Sequence, residues 1–253
     1  MEPVSLYSKD YEVDVSHVDF SKRIKLGSLF VYFQDIAVLH ADNLGVGMGN
    51  MLERHNAIWV LARMRVDIEK YPLWGDKITL ETWANRPNKI ECMRNFLVKD
   101  SKGNILIRAI STWVVMDVNT RKPKRADSVF SKDLVFIEEK TIDAKLGGLK
   151  ANAELQLVHK RVVGYSDIDV YEHLNNAKYV DFVTDCFNLD EHKKYNIHSI
   201  EINYLNESLP GDTITLYKGL SERIPNSVYI EGTHVEEEKV IFKAEIKVEP
   251  VTL

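Results

Sequence analysis

The chain has 253 residues, of which 45% are hydrophobic and 28% are charged, and its formal net charge is −5. This length allows one large domain or two domains of about 125 residues, and the composition is typical of a soluble globular protein. The acidic balance gives no reason to expect nucleic-acid binding, the first residues lack the apolar core of a signal peptide, and no apolar run approaches the ~18 residues of a membrane span.

The first half of the chain predicts one amphipathic helix followed by strands. The helix is predicted over 28–40, where apolar side chains recur on one helical face. That face comprises Leu29, Phe30, Phe33, Ile36 and Ala37. Strands are predicted at 78–83, 91–100 and 105–117, of which the second ends in a DSKG turn and the third is apolar enough for a central strand.

The second half repeats this order after a charged segment at 135–158 that contains two adjacent glycines and reads as a linker. A helix is predicted after Asn176, with its apolar face formed by Tyr179, Phe182, Val183, Cys186 and Phe187. Near the C-terminus, apolar residues at 240, 242, 244, 246 and 248 alternate with Lys243, Glu245 and Lys247. This period of two predicts a strand with one buried face and one solvated face.

An internal repeat connects the two halves. PLWGDKITL at 72–80 matches SLPGDTITL at 208–216 with an offset of 136, and each match follows a predicted helix. Aligning the helix starts, Ser28 and Asn176, gives a different offset of 148. The shared order of helix, strand, turn and strand favours a duplicated unit, in which a curved antiparallel sheet covers the apolar face of one helix.

The loop before the second helix concentrates polar side chains. Residues 167–176 include Asp167, Asp169, Glu172, His173, Asn175 and Asn176. Either asparagine is a suitable N-cap, and the free N–H groups and dipole of a helix N-terminus favour developing negative charge. The cluster therefore indicates an oxyanion site, although an ordinary capped helix after a surface loop would contain the same residues. Asp167 and Glu172 are expected to be solvated loop carboxylates.

The spacing of Asp169, His173, Asn175 and Asn176 is D-x-x-x-H-x-N-N, at the start of the second helix of a duplicated chain. In this respect the sequence resembles the acyl-acyl carrier protein thioesterases, which are double hotdog proteins of plant plastids and bacteria. The resemblance covers nearly the whole chain. The family pattern is similar to D-x-N-x-H-x-N-N, so Tyr171 stands at the position of the family's first asparagine and is a possible substitute for it.

The resemblance implies an α+β fold, a tandem (double) hotdog in which two antiparallel sheets are each wrapped around a long helix. It implies an N-terminal hotdog at 1–137 that supplies the acyl pocket, a linker at 138–158 and a catalytic C-terminal hotdog at 159–253. Candidate pocket residues are Phe33, Trp59 and Trp113, which could equally be core. The family also carries a catalytic glutamate on the following strand, and the corresponding residue here is Glu207, with Ser208 at a position that is commonly cysteine.

The repeat predicts that only the second unit is catalytic. At the offset of 136, Glu207 lies opposite Tyr71. At the offset of 148, His173 lies opposite Lys25 and Asp169 opposite Ser21, so the first unit is expected to lack the whole titratable set. Such an asymmetry is expected if the cluster is a reaction site rather than a helix cap.

Thioester hydrolysis needs an activated water, a proton donor for the thiolate and an oxyanion site. No G-x-S-x-G elbow occurs, and Cys92 and Cys186 are expected to be core or strand residues rather than nucleophiles. The remaining chemistry uses Glu207 or Asp169 as the general base, a choice that the sequence leaves open, with His173 orienting and sharing protons. The oxyanion would be held by N–H groups near Asn175, Asn176 and Ala177.

The expected partner is acyl carrier protein, and RKPKR at 121–125 is a candidate docking patch for this acidic protein through Lys122, Lys124 and Arg125. No metal and no organic cofactor are expected. The two cysteines show no metal-ligand spacing and favour a reducing, cytoplasmic compartment. An acyl-CoA thioesterase and a non-catalytic acyl-binding hotdog protein remain alternatives, the latter because of Tyr171. The chain is expected to be a monomer or a homodimer.

Overall fold

In the computed structural model, which describes residues 2–151, 154–225 and 227–251, the chain divides between Lys145 and Leu146 into two units. The predicted linker, 138–158, contains this division. It also contains Asn152 and Ala153, which lie outside the described residues. The exact bounds predicted for the two hotdogs stay a prediction. The structure does divide into two units, one for each half of the chain.

The first unit consists of one antiparallel sheet and two helices. Its elements are β1 (Tyr7–Glu12), α1 (Leu26–Asn43), α2 (Met48–His55), β2 (Ala57–Ile68), β3 (Lys77–Ala84), β4 (Glu91–Asp100), β5 (Ile105–Asp117) and β6 (Pro123–Lys124). The strand order is β1-β3-β4-β5-β2, with β6 paired to the end of β5. The predicted strands therefore form as expected, and the predicted helix extends at both ends.

Helix α1 packs its apolar face on this sheet. Phe33 of α1 and Phe96 of β4 lie with their ring centroids 4.9 Å apart, and both are almost fully buried. Alternate residues of β4 and β5 face the same way, so Phe96 and its cross-strand partner Ala109 contribute to the same buried layer. Burial of this layer is the main stabilising contribution of the unit.

The second unit repeats the first. Its elements are β7 (Gln156–Val162), α3 (Asn176–Thr184), α4 (Leu189–Lys194), β8 (Tyr195–Tyr204), β9 (Thr213–Leu220), β10 (Val228–His234) and β11 (Val240–Pro250). The strand order is β7-β9-β10-β11-β8, again antiparallel throughout. Strand for strand, this order corresponds to that of the first unit.

The repeated Gly-Asp turn has the same geometry in both units. Gly75 and Gly211 have φ values of 82° and 92°, which glycine adopts without steric strain. Asp76 Oδ2 accepts a hydrogen bond from the N–H of Leu73 (2.8 Å), and Asp212 Oδ2 accepts one from Leu209 (2.7 Å). The sequence match at this turn therefore marks a true structural repeat.

Helix α3 is shorter than its apolar face predicts. It ends at Thr184, so Cys186 and Phe187 follow the helix, although Cys186 is still buried. Asn188 starts α4 by accepting a hydrogen bond from Glu191 N–H (2.9 Å), and this second cap competes with continuation of α3.

In each unit, part of the segment at 137–147, most of which was predicted as a linker, covers the sheet face opposite the helix. In the first unit, carbonyl groups of Ile137 and Glu139 accept from Asn85, and the Glu139 carbonyl also accepts from Trp83. In the second unit, Asn203 Nδ2 donates to the carbonyl of Gly147 (2.7 Å). These bonds attach the segment to each sheet separately.

This cover corrects one expectation for β11. Glu245 alternates with the apolar residues and was therefore predicted to be solvated, but it is only 3% exposed. Glu201 faces it on β8 and is equally buried, and Arg223 lies between the two carboxylates. A period of two places Glu245 on the outer face, and only the tertiary structure determines that this part of the face is covered.

None of the helices in the described ranges is long and apolar enough to cross a membrane. The cytoplasmic location expected from the sequence stays a prediction.

Candidate active site

The candidate site is built on the loop between β7 and α3. A short 3-10 turn at 165–167 leads into a reverse turn, closed by a bridge between Ile168 and Leu174. Asp169 Oδ1 accepts hydrogen bonds from the N–H groups of Tyr171 (2.9 Å) and His173 (3.4 Å). The loop is therefore held by its own aspartate, as is typical of Asx turns.

The loop brings His173 to Glu207. His173 Nε2 lies 3.5 Å from Glu207 Oε2, and the backbone N–H of Leu174 donates to the carbonyl of Ser208 (2.9 Å). Glu207 lies in the loop after β8, rather than on the strand as the resemblance implied. The two side chains are 29% and 39% exposed, so water can reach both. This distance is longer than a direct hydrogen bond, so the two groups exchange a proton when the pair closes by a few tenths of an ångström or through one water molecule.

The start of α3 lies next to His173 in the chain and is capped by Asn175. Asn175 Oδ1 accepts from Ala177 N–H (2.8 Å), and Asn175 N–H donates to the carbonyl of Asp167 (2.9 Å). Two of the three predicted oxyanion donors are therefore engaged within the loop and helix. Asn176 is the first residue of the helix, where helical geometry provides no intrahelical acceptor for its N–H group.

The family of the chain is shown by two sequence models that together cover most of it. The acyl-ACP thioesterase N-terminal domain matches residues 4–132, and the acyl-ACP thioesterase C-terminal domain matches residues 150–250. The chain belongs to the acyl-ACP thioesterase family. This confirms the family that the spacing around His173 indicated.

Solved structures of this family confirm the fold. An acyl-ACP thioesterase from Bacteroides thetaiotaomicron superposes with a TM-score of 0.86 at 25% identity, covering 97% of this chain and 98% of that one. The 12:0-ACP thioesterase from Umbellularia californica superposes with a TM-score of 0.81 at 21% identity, covering 98% of both chains. The predicted α+β tandem hotdog is therefore correct.

Curated relatives are plant acyl-ACP thioesterases. The palmitoyl-acyl carrier protein thioesterase of Arabidopsis thaliana is 27% identical over 226 residues, which are 80% of this chain and 52% of the relative. The dodecanoyl-[acyl-carrier-protein] hydrolase of Cinnamomum camphora is 30% identical over 200 residues, which are 70% of this chain and 49% of the relative. The chain thus spans about half the length of these relatives.

One carboxylate in the loop of this thioesterase-family chain, Asp167, is buried, contrary to the expectation from the sequence. Asp167 was expected to be solvated but is 5% exposed, and its Oδ2 accepts from Gly164 N–H (3.0 Å), which closes the 3-10 turn. Glu172 is exposed, as expected. Tyr171 has a half-exposed side chain, and its substitution for the family asparagine stays a proposal.

Tyr179 lies beside the candidate site, although the sequence predicted it only as part of the apolar face of the helix. Its hydroxyl donates to the carbonyl of Asn206 (3.4 Å). Burial raises the pKa of Tyr179 well above its usual range, and the charges of Glu207 and Asp169 raise it further. Tyr179 is therefore protonated near neutral pH. Its position one helical turn after the Asn175 cap is the sequence signal that could have revealed it as a neighbour of the site.

Neither cysteine has the character of a nucleophile. Cys92 and Cys186 are both buried, and this burial raises their pKa values to about 11 and about 12. Among the described residues, no group of three histidine, cysteine or acidic side chains is arranged to hold a metal ion.

The residues predicted to dock the carrier are partly engaged in the first unit. Lys124 Nζ donates to the carbonyl of His55 (2.6 Å) and to Asp117 (3.1 Å), and Arg125 is paired with Asp127 (2.5 Å). Lys122 is exposed. The docking patch stays a proposal, with Lys122 as its least engaged member.

The predicted acyl-pocket residues all lie in the first unit and are at least partly buried. Phe33 is core, whereas the indole N–H groups of Trp59 and Trp113 donate to Val46 O (2.9 Å) and Ser111 Oγ (2.8 Å). Their role in setting acyl-chain length stays a proposal.

Proposed function

We propose that this protein hydrolyses the thioester bond of acyl-acyl carrier protein and releases a free fatty acid. The observation that carries the proposal is the 3.5 Å contact between His173 and Glu207, beside the start of α3, in a chain of the acyl-ACP thioesterase family. The names of the relatives, which specify palmitoyl and dodecanoyl carriers, support the substrate class.

In the proposed reaction, Glu207 acts as general base. It takes a proton from a water molecule, whose oxygen attacks the carbonyl carbon of the thioester, while His173 orients the carboxylate and shares the proton. The N–H of Asn176 stabilises the negative charge on the carbonyl oxygen. When the C–S bond breaks, the proton held by the Glu207–His173 pair passes to the departing sulfur.

An acyl-CoA thioesterase is the second candidate function. It uses the same chemistry, and it is favoured by the pairing of Lys124 and Arg125 with acidic side chains, which leaves less positive charge to attract an acidic carrier. A protein that binds acyl groups without hydrolysis is the third, because Tyr171 replaces the family asparagine.

The test is hydrolysis of an acyl-chain series presented on acyl carrier protein and on CoA, with wild type, His173→Ala and Glu207→Gln. We expect turnover on the carrier, and about 10²- to 10⁴-fold lower kcat in both variants because each removes proton transfer in the transition state. A matched control is His198→Ala, since His198 also lies near a glutamate, Glu249, at 3.9 Å in the same unit. His198→Ala is expected to leave kcat unchanged.

The outcomes separate the three candidates. Higher kcat/KM on CoA than on the carrier would favour the acyl-CoA enzyme. Normal hydrolysis by both His173→Ala and Glu207→Gln would contradict the assignment of the site. If wild type binds acyl groups but hydrolyses neither acyl-acyl carrier protein nor acyl-CoA, the non-catalytic binding protein would be favoured.

A further inference from the structure

The loop that carries His173 has a copy in the first unit with the same backbone hydrogen bonds. Asp169 N–H donates to the carbonyl of His173 (2.9 Å), and Asp19 N–H donates to the carbonyl of Arg23 (2.8 Å). The bridge between Ile168 and Leu174 likewise has its counterpart at 18 and 24. The loops therefore align at an offset of 150, from 19 to 169, and not at 148.

The two loops also share an uncommon backbone conformation at one residue. Lys22 and Glu172 both have φ of 62°, in the left-handed region that non-glycine residues rarely adopt. Each donates its N–H to the carbonyl of the loop aspartate, Asp19 or Asp169, at 3.0 Å. Two independent copies thus adopt the same turn.

This alignment corrects the expectation that the first unit lacks the whole titratable set. Asp19 lies opposite Asp169, and its Oδ1 accepts from the N–H groups of Ser21 (2.7 Å) and Arg23 (3.1 Å). Asp169 makes the same two bonds, to the residues two and four positions ahead. The aspartate is therefore retained in both units.

The two loops differ at the pair of side chains that contact each other in each unit. His173 is replaced by Arg23, and Glu207 by Tyr71, with the Arg23 guanidinium 5.4 Å from the centre of the Tyr71 ring. The backbone bond from Ile24 N–H to the carbonyl of Pro72 (3.0 Å) corresponds to the bond between Leu174 and Ser208. The first unit therefore keeps the loop and its aspartate but not the histidine–glutamate pair.

We propose that Asp169 is a positioning residue for His173 and not the general base. It binds His173 twice, because its side chain accepts from the His173 N–H and its own N–H donates to the His173 carbonyl. Asp19 forms the same backbone bonds in a unit without the reacting pair, and its Oδ2 also pairs with Arg23 Nη2 at 3.3 Å. The shared backbone bonds therefore hold the loop whether or not a proton is transferred. The proposal rests on the proposed hydrolase function and assigns the base to Glu207.

The test compares Asp169→Asn, Asp169→Ser and Asp169→Ala on one acyl-carrier substrate. An asparagine Oδ1 accepts the same two N–H bonds without being a base, and a serine hydroxyl accepts them less well. We expect kcat to fall in the order Asn, Ser, Ala, with Asn within about fivefold of wild type because a neutral bond replaces a charged one. Asp169→Ala is expected to lose about 10²-fold in kcat, with little change in KM, because His173 is misplaced.

The pH dependence of kcat distinguishes positioning from proton transfer. Asp169→Asn is expected to keep the acidic limb of the wild-type profile, whereas Glu207→Gln is expected to lose it together with activity. Equal and large losses in all three Asp169 variants, or a vanished acidic limb in Asp169→Asn, would overturn the proposal. So would unchanged activity in Asp169→Ala.

Asp19→Asn and Asp19→Ala are the matched controls, since they alter the same loop in the unit without the pair. They are expected to lower thermal stability at least as much as the Asp169 variants, because Asp19 also pairs with Arg23. They are expected to leave kcat within about twofold, because the loop lies outside the reaction site. Absence of turnover by wild type on the acyl-carrier substrate would instead refute the hydrolase assignment itself. The two failures are therefore distinguishable.

Discussion

His173 and His40 both contact a charged side chain, but their surroundings differ. His173 is partly exposed beside Glu207, where a proton can be exchanged with water. His40 is fully buried, its Nδ1 accepts from Arg94 Nη1 (2.9 Å), and its Nε2 donates to the carbonyl of Val4 (2.9 Å). These bonds require the neutral form, and burial, followed by the charge of Arg94, lowers the pKa of His40 to about 4.

Because the pKa of His40 is lower in the folded state than the ~6.5 of an unfolded chain, the unfolded state binds more protons between these values. The free energy of unfolding is therefore expected to fall as pH decreases through this window, by about 2 kcal/mol from pH 7.5 to 5. Urea unfolding at pH 7.5 and pH 5 measures this loss. His40→Gln is expected to be less stable at pH 7.5 but to lack that part of the loss.

His17→Gln is the control for the His40 prediction, since His17 lies in the same unit but is partly exposed. It should keep the pH dependence of wild type. An identical pH dependence in wild type and His40→Gln would show that His40 is not held neutral.

At the level of secondary-structure elements, the second sheet depends on an ion cluster that joins two strands. Glu201 of β8 and Glu245 of β11 are cross-strand neighbours, both buried, and both paired with Arg223 Nη2 at 2.6 Å. Ser221 also donates to Glu245, and the N–H of Gly147 donates to Glu201 (3.4 Å). The covering segment and the strands are therefore connected through two buried carboxylates and one cation.

Arg223→Met would leave both carboxylates buried without their cation. We expect the free energy of unfolding of wild type to exceed that of the variant by about 3–5 kcal/mol at neutral pH. Arg108→Met is the control, because the Arg108–Glu69 pair is 37% and 52% exposed and should contribute less than about 1 kcal/mol. Adding Glu245→Gln to Arg223→Met should restore part of the loss, and equal effects of both arginine variants would contradict this account.

For the whole molecule, the question is how a chain with a net charge of −5 would receive an acidic carrier. Long-range attraction would require a local positive surface, and the docking patch of Lys122, Lys124 and Arg125 is the proposed one. Lys124 is bonded to Asp117 and to the carbonyl of His55, so its replacement would also disturb the structure. Lys122 is exposed, and Arg125 is paired with Asp127 at the surface, so reversing these two charges disturbs the structure less than replacing Lys124.

The double variant Lys122→Glu and Arg125→Glu is expected to raise KM for acyl carrier protein about three- to tenfold at low salt, with less effect at high salt. Hydrolysis of an uncharged acyl-pantetheine should be unchanged. Lys102→Glu, an exposed lysine in the turn after β4, is the control for a charge reversal elsewhere in the same unit. If Lys102→Glu raises KM for acyl carrier protein as much as the double variant does, the docking patch does not bind the carrier specifically.

The sequence by itself determined the repeated elements and the location of the polar loop. Apolar periodicity located α1 and β11, the Gly-Asp turns revealed the duplication, and the spacing from Asp169 to Asn176 indicated the family. These features are local, because helix and strand periods and turn chemistry depend on residues close in the chain.

Only the tertiary structure decided which polar residues act together. His173 meets Glu207 because a backbone bond joins Leu174 to Ser208, and no local pattern encodes such a bond. The burial of Glu245 and the correspondence of Asp19 to Asp169 likewise depend on segments that are distant in sequence. Solvation, pairing and access to water are set by what packs against a side chain, and this is a property of the folded chain alone.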